Sequence, residues 1–218
     1  MTLVKICGVT NLEDALMCVK AGADIMGFNF YPRSPRYVAP EVARRITELL
    51  PPSVLSVGVF VNEESPGRVE ELASRAGVAA VQLHGDEPAS YCRALEGRFV
   101  IKALRVSPEF VPESASTYGT RAVLLDAYSK DFYGGTGDVF DWSAARSVRA
   151  LEPQLFLAGG LGPHNAAEAV RAVAPYAVDA CSLLERAPGR KDAARVRAFV
   201  AAVRRADEAT ASPTGAKE

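Results

Sequence analysis

The sequence lacks any long hydrophobic run: no stretch of its 218 residues approaches the roughly 18 uncharged apolar residues that a membrane-spanning helix requires. It also lacks an excess of charge, since 25 basic and 26 acidic residues leave a formal net charge of -1 and no basic stripe for nucleic acid. The opening residues, MTLVKICGVT, lack the basic and then apolar layout of a signal peptide. We therefore expect a cytoplasmic protein without membrane or nucleic-acid partners.

Cysteine and histidine are also scarce. The four cysteines, Cys7, Cys18, Cys92 and Cys181, form no CxxC motif, and only two histidines accompany them. A chain of this size without a secretion signal is not expected to depend on a disulfide framework, and no pair has the spacing of zinc ligands. We therefore expect reduced thiols and no bound metal.

What the sequence does have is an alternation of short apolar runs with segments of helical periodicity. The runs are almost continuously apolar, which is typical of parallel strands buried on both faces. Eight strand-helix units in 218 residues leave about 27 residues for each, which suits an α/β fold of the closed (β/α)8 TIM barrel type. An open doubly wound sheet shows the same alternation, but no glycine-rich dinucleotide fingerprint follows the first run. The runs cover residues 3–9, 23–30, 53–61, 79–85, 98–104, 122–127, 154–160 and 177–182.

Helix-start and helix-stop residues lie between these runs. Asn11 and Gly22 delimit the first predicted helix, Ser65 and Gly77 delimit the third, and Pro163 opens a later one. The last residues of the chain contain no large apolar side chain. We therefore predict one barrel domain over residues 1–204 and a disordered tail over residues 205–218.

In such a barrel the active site is built at the carboxyl ends of the strands. Cys7 ends the first run; a buried cysteine is usually an inert core residue, but this position favours a functional thiol. Lys5 lies on the same strand face, where it can influence that thiol. Asp126 ends the sixth run, where a carboxyl group is suited to general acid catalysis. His84 ends the fourth run, where it either lines the site or forms a structural hydrogen bond.

Three loops complete the predicted site. The loop after the seventh run contains Gly159 and Gly160 and leads into a helix, which favours phosphate binding by backbone N–H groups. The loop after the sixth run contains a second glycine cluster that includes Gly135. The proline-stiffened loop after the second run carries Arg36, whose guanidinium is suited to bidentate capture of a carboxylate.

These motifs resemble the phosphoribosylanthranilate isomerase family over nearly the whole chain except its tail. The resemblance implies a barrel that converts the phosphorylated sugar N-(5-phosphoribosyl)anthranilate to 1-(2-carboxyphenylamino)-1-deoxyribulose 5-phosphate. This Amadori rearrangement belongs to tryptophan biosynthesis and needs no cofactor. The resemblance also implies Cys7 as general base, Asp126 as general acid, Arg36 as the carboxylate-binding residue, and phosphate binding by the loops after strands seven and eight. The matching stretches are VKICGVT (4–10), GFNFYPRSPRYV (27–38), VGVFVN (57–62), VQLHGDE (81–87), LLDA (124–127), GGTGDVFDW (134–142), LAGGLGPHN (157–165) and PGRKD (188–192).

One segment departs from the family pattern. After strand eight the family usually has a serine pair and then glycine, whereas this chain has Cys181, Ser182 and Leu183. Leucine disfavours a left-handed backbone and can crowd a phosphate. We therefore expect weakened phosphate binding at Ser182 and Leu183 with the chemistry preserved, and a lower KM on reversion of Leu183 to glycine.

Two other functions stay open. A related phosphosugar isomerase of the histidine pathway is expected to use two carboxylates, which Cys7 in strand one disfavours. A barrel that has lost turnover and binds a phosphorylated ligand or a partner is suggested by Leu183, and the intact Cys7, Asp126 and Arg36 weigh against it. The sequence is compatible with either a monomer or a homodimer.

Overall fold

The computed structural model describes residues 1–127 and 142–211 of the chain. Eight parallel strands, β1 to β8, form a closed barrel in sequence order. The last strand pairs with the first, with Leu3 aligned to Ala177 and Ile6 to Ala180. The predicted (β/α)8 barrel is therefore confirmed, and the open-sheet alternative is excluded. The strands are β1 Leu3–Ile6, β2 Ile25–Asn29, β3 Leu55–Phe60, β4 Ala80–Leu83, β5 Phe99–Val106, β6 Ala122–Ala127, β7 Leu155–Leu157 and β8 Ala177–Ala180.

Helices connect the strands, and two of the predicted boundaries have the expected capping geometry. The side chain of Asn11 accepts a hydrogen bond from the Asp14 N–H at 2.9 Å, and that of Ser65 accepts one from the Arg68 N–H at 3.2 Å. Within the described ranges, no helix is long and apolar enough to cross a membrane. The helices are α1 Leu12–Ala21, α2 Pro40–Thr47, α3 Pro66–Ala76, α4 Ala89–Arg93, α5 Trp142–Leu151, α6 Ala166–Val173 and α7 Ala193–Ala211.

Several connections differ from the sequence pattern. Helix α6 begins at Ala166 rather than at Pro163, because Asn165 holds the preceding residues in a turn: its Oδ1 accepts the Gly162 N–H and its Nδ2 donates to the Gly160 carbonyl, both at 2.9 Å. The β5–β6 connection contains a 3₁₀ helix, Pro112–Tyr118, in place of an α-helix. After β8 the chain forms an unpredicted antiparallel hairpin of β9 Glu185–Ala187 and β10 Arg190–Lys191.

The strand side chains alternate between two hydrophobic layers. The inner layer fills the barrel and includes Ile25, Val57, Ile101, Leu124 and Phe156. The outer layer lies between the strands and the surrounding helices. Because alternate residues of each strand point into the barrel, the last inward position of every strand lies at its carboxyl end, above the inner layer.

The predicted boundary between domain and tail is wrong by several residues. Helix α7 continues to Ala211, well past residue 204. Ala206 is buried in the core, and Asp207 accepts hydrogen bonds from both the backbone N–H and the hydroxyl of Thr2 at 2.8 Å. Residues 205–211 are therefore part of the folded barrel, and residues 212–218 lie outside the described residues.

Candidate active site

A cavity of about 500 Å³ opens at the carboxyl ends of the barrel strands, a volume typical of small-molecule sites. Leu183 is not among the described residues that line it, and Lys5, predicted to line the site, is instead fully buried beside it. Gly135 lies outside the described residues. The predicted site residues that line the cavity are Cys7, Arg36, His84, Asp126, Gly159, Gly160 and Ser182.

The inward-facing row of each strand supplies most of the polar lining. On β4, Ala80 belongs to the inner hydrophobic layer, and Gln82 and His84 follow it at steps of two. On β6, Leu124 belongs to the same layer and Asp126 is the next inward residue. Polar side chains therefore enter the cavity where the inner layer ends.

The Cys7 thiol lies in an electropositive environment. Its side chain lies beside that of Cys181, and Lys5 and Lys191 lie near enough to stabilise a thiolate. The Cys181 hydrogen bond and these cations hold the pKa of the Cys7 thiol well below its ordinary value, although burial acts in the opposite direction. The thiol also needs the glycine at position 27, since an added Cβ there would come within 2.8 Å of Cys7 Sγ. Cys7 is thus suited to act as a base at neutral pH.

A buried ion pair lies next to Cys7. Lys5 Nζ donates to Asp179 Oδ2 at 2.7 Å, and the two side chains are 0% and 7% exposed. Burial alone would lower the pKa of Lys5, but Asp179 and Cys7 together raise it. Burial raises the pKa of Asp179 to about 7, while Lys5 acts in the opposite direction. Asp179 Oδ1 has no hydrogen-bond partner within the described residues although the side chain lines the cavity, so this oxygen is available to a polar group of a ligand.

Asp126 is held against His84. The Nε2 atom of His84 lies 3.2 Å from Asp126 Oδ2, and Nδ1 lies 2.7 Å from the side-chain nitrogen of Gln82. Because an amide nitrogen can only donate, Nδ1 accepts this hydrogen bond, and the ring proton of a neutral His84 is on Nε2, facing Asp126. His84 therefore lines the cavity beside the Asp126 carboxyl group, and its hydrogen bond with Gln82 orients the ring.

Arg36 is oriented by a buried carboxylate. Its Nε donates to both oxygens of Glu185 at 3.0 Å, and its Nη2 donates to Oε2 at 2.8 Å. Lys191 Nζ donates to Oε1 of the same carboxylate at 2.8 Å, so two cations share one buried anion. The remaining guanidinium nitrogen of Arg36, Nη1, makes no hydrogen bond to Glu185. The guanidinium is thus held at the cavity wall with one nitrogen left for an anionic ligand.

Two backbone segments face each other at the predicted phosphate site. Gly159 and Gly160 are consecutive residues with φ of 82° and 61°, a left-handed pair whose N–H groups can converge on an anion. Ser182 and Leu183 lie in the 3₁₀ helix Ser182–Leu184. The backbone of Leu183 is not left-handed, because the only non-glycine residues with positive φ in the described ranges are Asn62 and Ala174. The Leu183 side chain packs instead on Gly162, where an added Cβ would lie 3.1 Å from its Cδ1.

Several side chains of this site were not identified from the sequence, among them Gln82. Asp179 and Cys181 are the inward residues at the end of β8, so the rule that identified Asp126 at the end of β6 could have found them. Glu185 and Lys191 lie on the hairpin after β8, which was not predicted, although the PGRKD stretch (188–192) contains a Pro-Gly turn signal and Lys191. Within residues 1–127 and 142–211, no group of three or more His, Cys, Asp or Glu side chains is arranged to hold a metal ion.

Comparison with known proteins gives one consistent result. A family model described as N-(5'phosphoribosyl)anthranilate (PRA) isomerase matches residues 4–202. The N-(5'-phosphoribosyl)anthranilate isomerase of Trichlorobacter lovleyi is 52% identical over 200 residues, which are 92% of this chain and 97% of that protein. The crystal structure of phosphoribosyl anthranilate isomerase from Thermotoga maritima aligns with a TM-score of 0.86 at 47% identity, covering 94% of this chain and 99% of that one. A phosphoribosyl anthranilate isomerase in complex with reduced 1-(o-carboxyphenylamino)-1-deoxyribulose 5-phosphate aligns with a TM-score of 0.83 at 46% identity, with the same coverage.

Proposed function

Because the chain belongs to the N-(5'-phosphoribosyl)anthranilate isomerase family, which acts in tryptophan biosynthesis, we propose that it converts N-(5-phosphoribosyl)anthranilate to 1-(2-carboxyphenylamino)-1-deoxyribulose 5-phosphate. One observation carries the proposal: a thiol of lowered pKa, Cys7, and a carboxyl group, Asp126, face the same cavity. Cys7 follows β1 and Asp126 lies near the end of β6, and these strands are three positions apart around the barrel, so the two side chains approach a ligand from different sides. Acid and base are thereby separated around one substrate.

In the first step Asp126 acts as the general acid. Its protonated carboxyl group donates to the ribose ring oxygen, the bond from that oxygen to the anomeric carbon breaks, and the anthranilate nitrogen forms a protonated Schiff base. The His84 ring, 3.2 Å from Asp126 Oδ2, keeps the carboxyl group aimed into the cavity. The step leaves Asp126 ionised.

In the second step Cys7 acts as the general base. Its thiolate takes the proton from the sugar carbon next to the Schiff-base carbon, and the electron pair released neutralises the iminium nitrogen to form an enolamine. Tautomerisation of the enolamine to the ketone completes the rearrangement. Every proton moves between the substrate and a side chain or solvent, so the proposal requires no cofactor and no metal.

Two further groups hold the ends of the substrate. Arg36, fixed by its bidentate pair with Glu185, offers Nη1 to the anthranilate carboxylate. The backbone N–H groups of Gly159 and Gly160, with that of Ser182 in the neighbouring loop after β8, hold the phosphate. Recognition of the two anionic ends places the ribose between Cys7 and Asp126.

The proposal is tested by a steady-state assay on freshly generated phosphoribosylanthranilate, followed by the loss of its anthranilate-type fluorescence. We expect saturable turnover without added cofactor. Absence of turnover with retained binding of the product would instead support the non-catalytic barrel. Turnover confined to the aminoaldose of the histidine pathway would support the related phosphosugar isomerase.

Leu183 provides a second test. Because its side chain packs on Gly162 and does not line the cavity, Leu183→Gly is expected to change KM by less than about threefold. The same change removes a partly buried side chain and adds backbone freedom, so it should lower the free energy of unfolding by about 1–3 kcal/mol. Leu183→Ala is the matched control, because it shortens the side chain and keeps the Cβ. If KM is several-fold lower in Leu183→Gly but not in Leu183→Ala, the side chain at this position does weaken phosphate binding, as the sequence alone predicted.

A further inference from the structure

A second thiol lies beside the proposed base. Cys7 follows β1 and Cys181 follows β8, the two strands whose pairing closes the barrel. The last register pair is Ile6 with Ala180, and the Cys7 N–H donates to the Ala180 carbonyl at 3.0 Å. The two cysteines are therefore adjacent residues one position beyond that pair.

The spacing of these strands suits a bond between the two sulfurs. Neighbouring strands lie about 4.8 Å apart, and a disulfide joins residues whose Cα atoms are about 4.4–6.8 Å apart. Register partners of parallel strands point to the same face, so the side chains of Cys7 and Cys181 lie side by side. The Cys181 sulfur also packs against the residue that follows Cys7, since a Cβ added to Gly8 would lie 3.0 Å from Cys181 Sγ. Neither thiol is fully buried, and both line the cavity, so a small solute that enters the cavity reaches them.

The surrounding charges make one of the two thiols reactive. Lys5 lies next to Cys7, and Lys191 Nζ lies 3.8 Å from Cys181 Sγ. The hydrogen bond from Cys181 and these cations favour the thiolate of Cys7, whereas the same hydrogen bond and burial raise the pKa of Cys181. A thiolate next to a protonated thiol is the pairing of an attacking and a resolving cysteine.

The other two cysteines have a different environment. Cys18 and Cys92 are buried in the outer core layer and do not line the cavity. Burial raises the pKa of Cys18 to about 12 and also raises that of Cys92. They provide internal controls for any reaction at the cavity.

We propose that Cys7 and Cys181 form an oxidative modification site, at which a hydroperoxide joins the two thiols in a reversible disulfide that blocks the cavity's base. The loss of activity rests on the proposed function, in which Cys7 takes a proton from the substrate. The formation of the disulfide does not, because it depends only on the arrangement of the two thiols.

The reaction balances in two steps. The Cys7 thiolate attacks one peroxide oxygen, the O–O bond breaks, hydroxide leaves and takes up a proton, and Cys7 becomes a sulfenic acid. The Cys181 sulfur then attacks the sulfenic sulfur, the S–O bond breaks, and water leaves with the thiol proton as the S–S bond forms. Hydrogen peroxide is reduced to two waters while the thiol pair loses two hydrogens. A dithiol such as dithiothreitol reverses the change.

The test treats the reduced full-length chain with hydrogen peroxide and follows both mass and turnover. We expect the intact mass to fall by two hydrogens and a digest to contain the peptides of Cys7 and Cys181 joined together. Fragmentation of the joined peptides is needed, because trypsin leaves Cys7 and Cys18 in one peptide. Turnover should fall in proportion to the disulfide formed and return with dithiothreitol.

Two variants sharpen the test. Cys181→Ser removes the resolving thiol, so peroxide should add oxygen to Cys7, and the variant should recover less of its own initial activity with dithiothreitol than the wild type does. Cys92→Ser should behave as the wild type does. The proposal is overturned if no Cys7–Cys181 link forms, if oxidation falls on Cys18 or Cys92, or if Cys181→Ser recovers as fully as the wild type. A link that forms in a chain without turnover would support the thiol pair and reject the isomerase assignment, so the two failures are distinguishable.

Discussion

Replacing Cys7 with serine is expected to lower kcat by about 10²–10⁴-fold, the contribution typical of one proton-transfer group. A serine hydroxyl is not ionised at neutral pH, so it cannot replace a thiolate whose pKa is held well below the ordinary value. KM should change little, because the thiol contacts the sugar carbon and the two anionic ends of the substrate are held elsewhere. Steady-state kinetics on phosphoribosylanthranilate separates the two parameters.

The matched control for this variant is Cys92→Ser, which makes the same change on α4, away from the cavity, and should retain wild-type kcat. The pH dependence gives an independent readout. Since only the thiolate of Cys7 accepts a proton, kcat/KM should fall as the pH drops through the lowered pKa, and this acidic limb should lie well below the ordinary thiol value. An acidic limb centred near the ordinary thiol value of 9.0, or a Cys7→Ser variant within tenfold of wild type, would remove Cys7 from the role of base.

Replacing Asp126 with asparagine is expected to lower kcat by a comparable factor of about 10²–10⁴. Asparagine has nearly the same shape and can still face His84 Nε2, but its amide is not an acid that can protonate the leaving ring oxygen. Ring opening should then limit the rate, whereas affinity for the ring-opened product should be retained. Turnover and product binding, measured on the same preparation, test both statements.

Asp86→Asn is the control for this variant, because it makes the same isosteric change at an exposed carboxylate in the loop after β4. We expect its kcat to match that of the wild type. A loss of product affinity in Asp126→Asn as large as the loss of kcat would indicate a binding residue rather than an acid.

Much of this protein follows from local sequence patterns. Apolar runs with helical segments between them predict eight parallel strands, and capping residues such as Asn11 and Ser65 begin the helices where expected. Alternation along β1 and β6 places Cys7 and Asp126 in the inward row at the strand ends, where a barrel binds its ligand. These features depend on residues a few positions apart, so they can be predicted from the sequence without a structure.

The tertiary structure decided which groups surround these residues. Lys5 and Asp179 are 174 residues apart in the chain, and Arg36 and Glu185 are 149 apart, yet both pairs are in direct contact. The closure of β8 on β1 creates the first pair and also sets Cys181 against Cys7. The hairpin of β9 and β10, which the strand-helix pattern did not predict, carries the carboxylate that orients Arg36 and the lysine that also contacts this carboxylate.

The physical reason for this division is the range of the interactions. Strand and helix formation, capping and alternation depend on backbone geometry over a few residues. The amino-acid sequence by itself therefore determined the eight barrel strands, most of the helices between them and the inward position of Cys7 and Asp126. The lowered pKa of Cys7, the orientation of Arg36 and the packing of Leu183 on Gly162 depend on which distant segments the closed barrel brings into contact. Strand register and the packing of the whole core set those contacts, so only the tertiary structure could decide them.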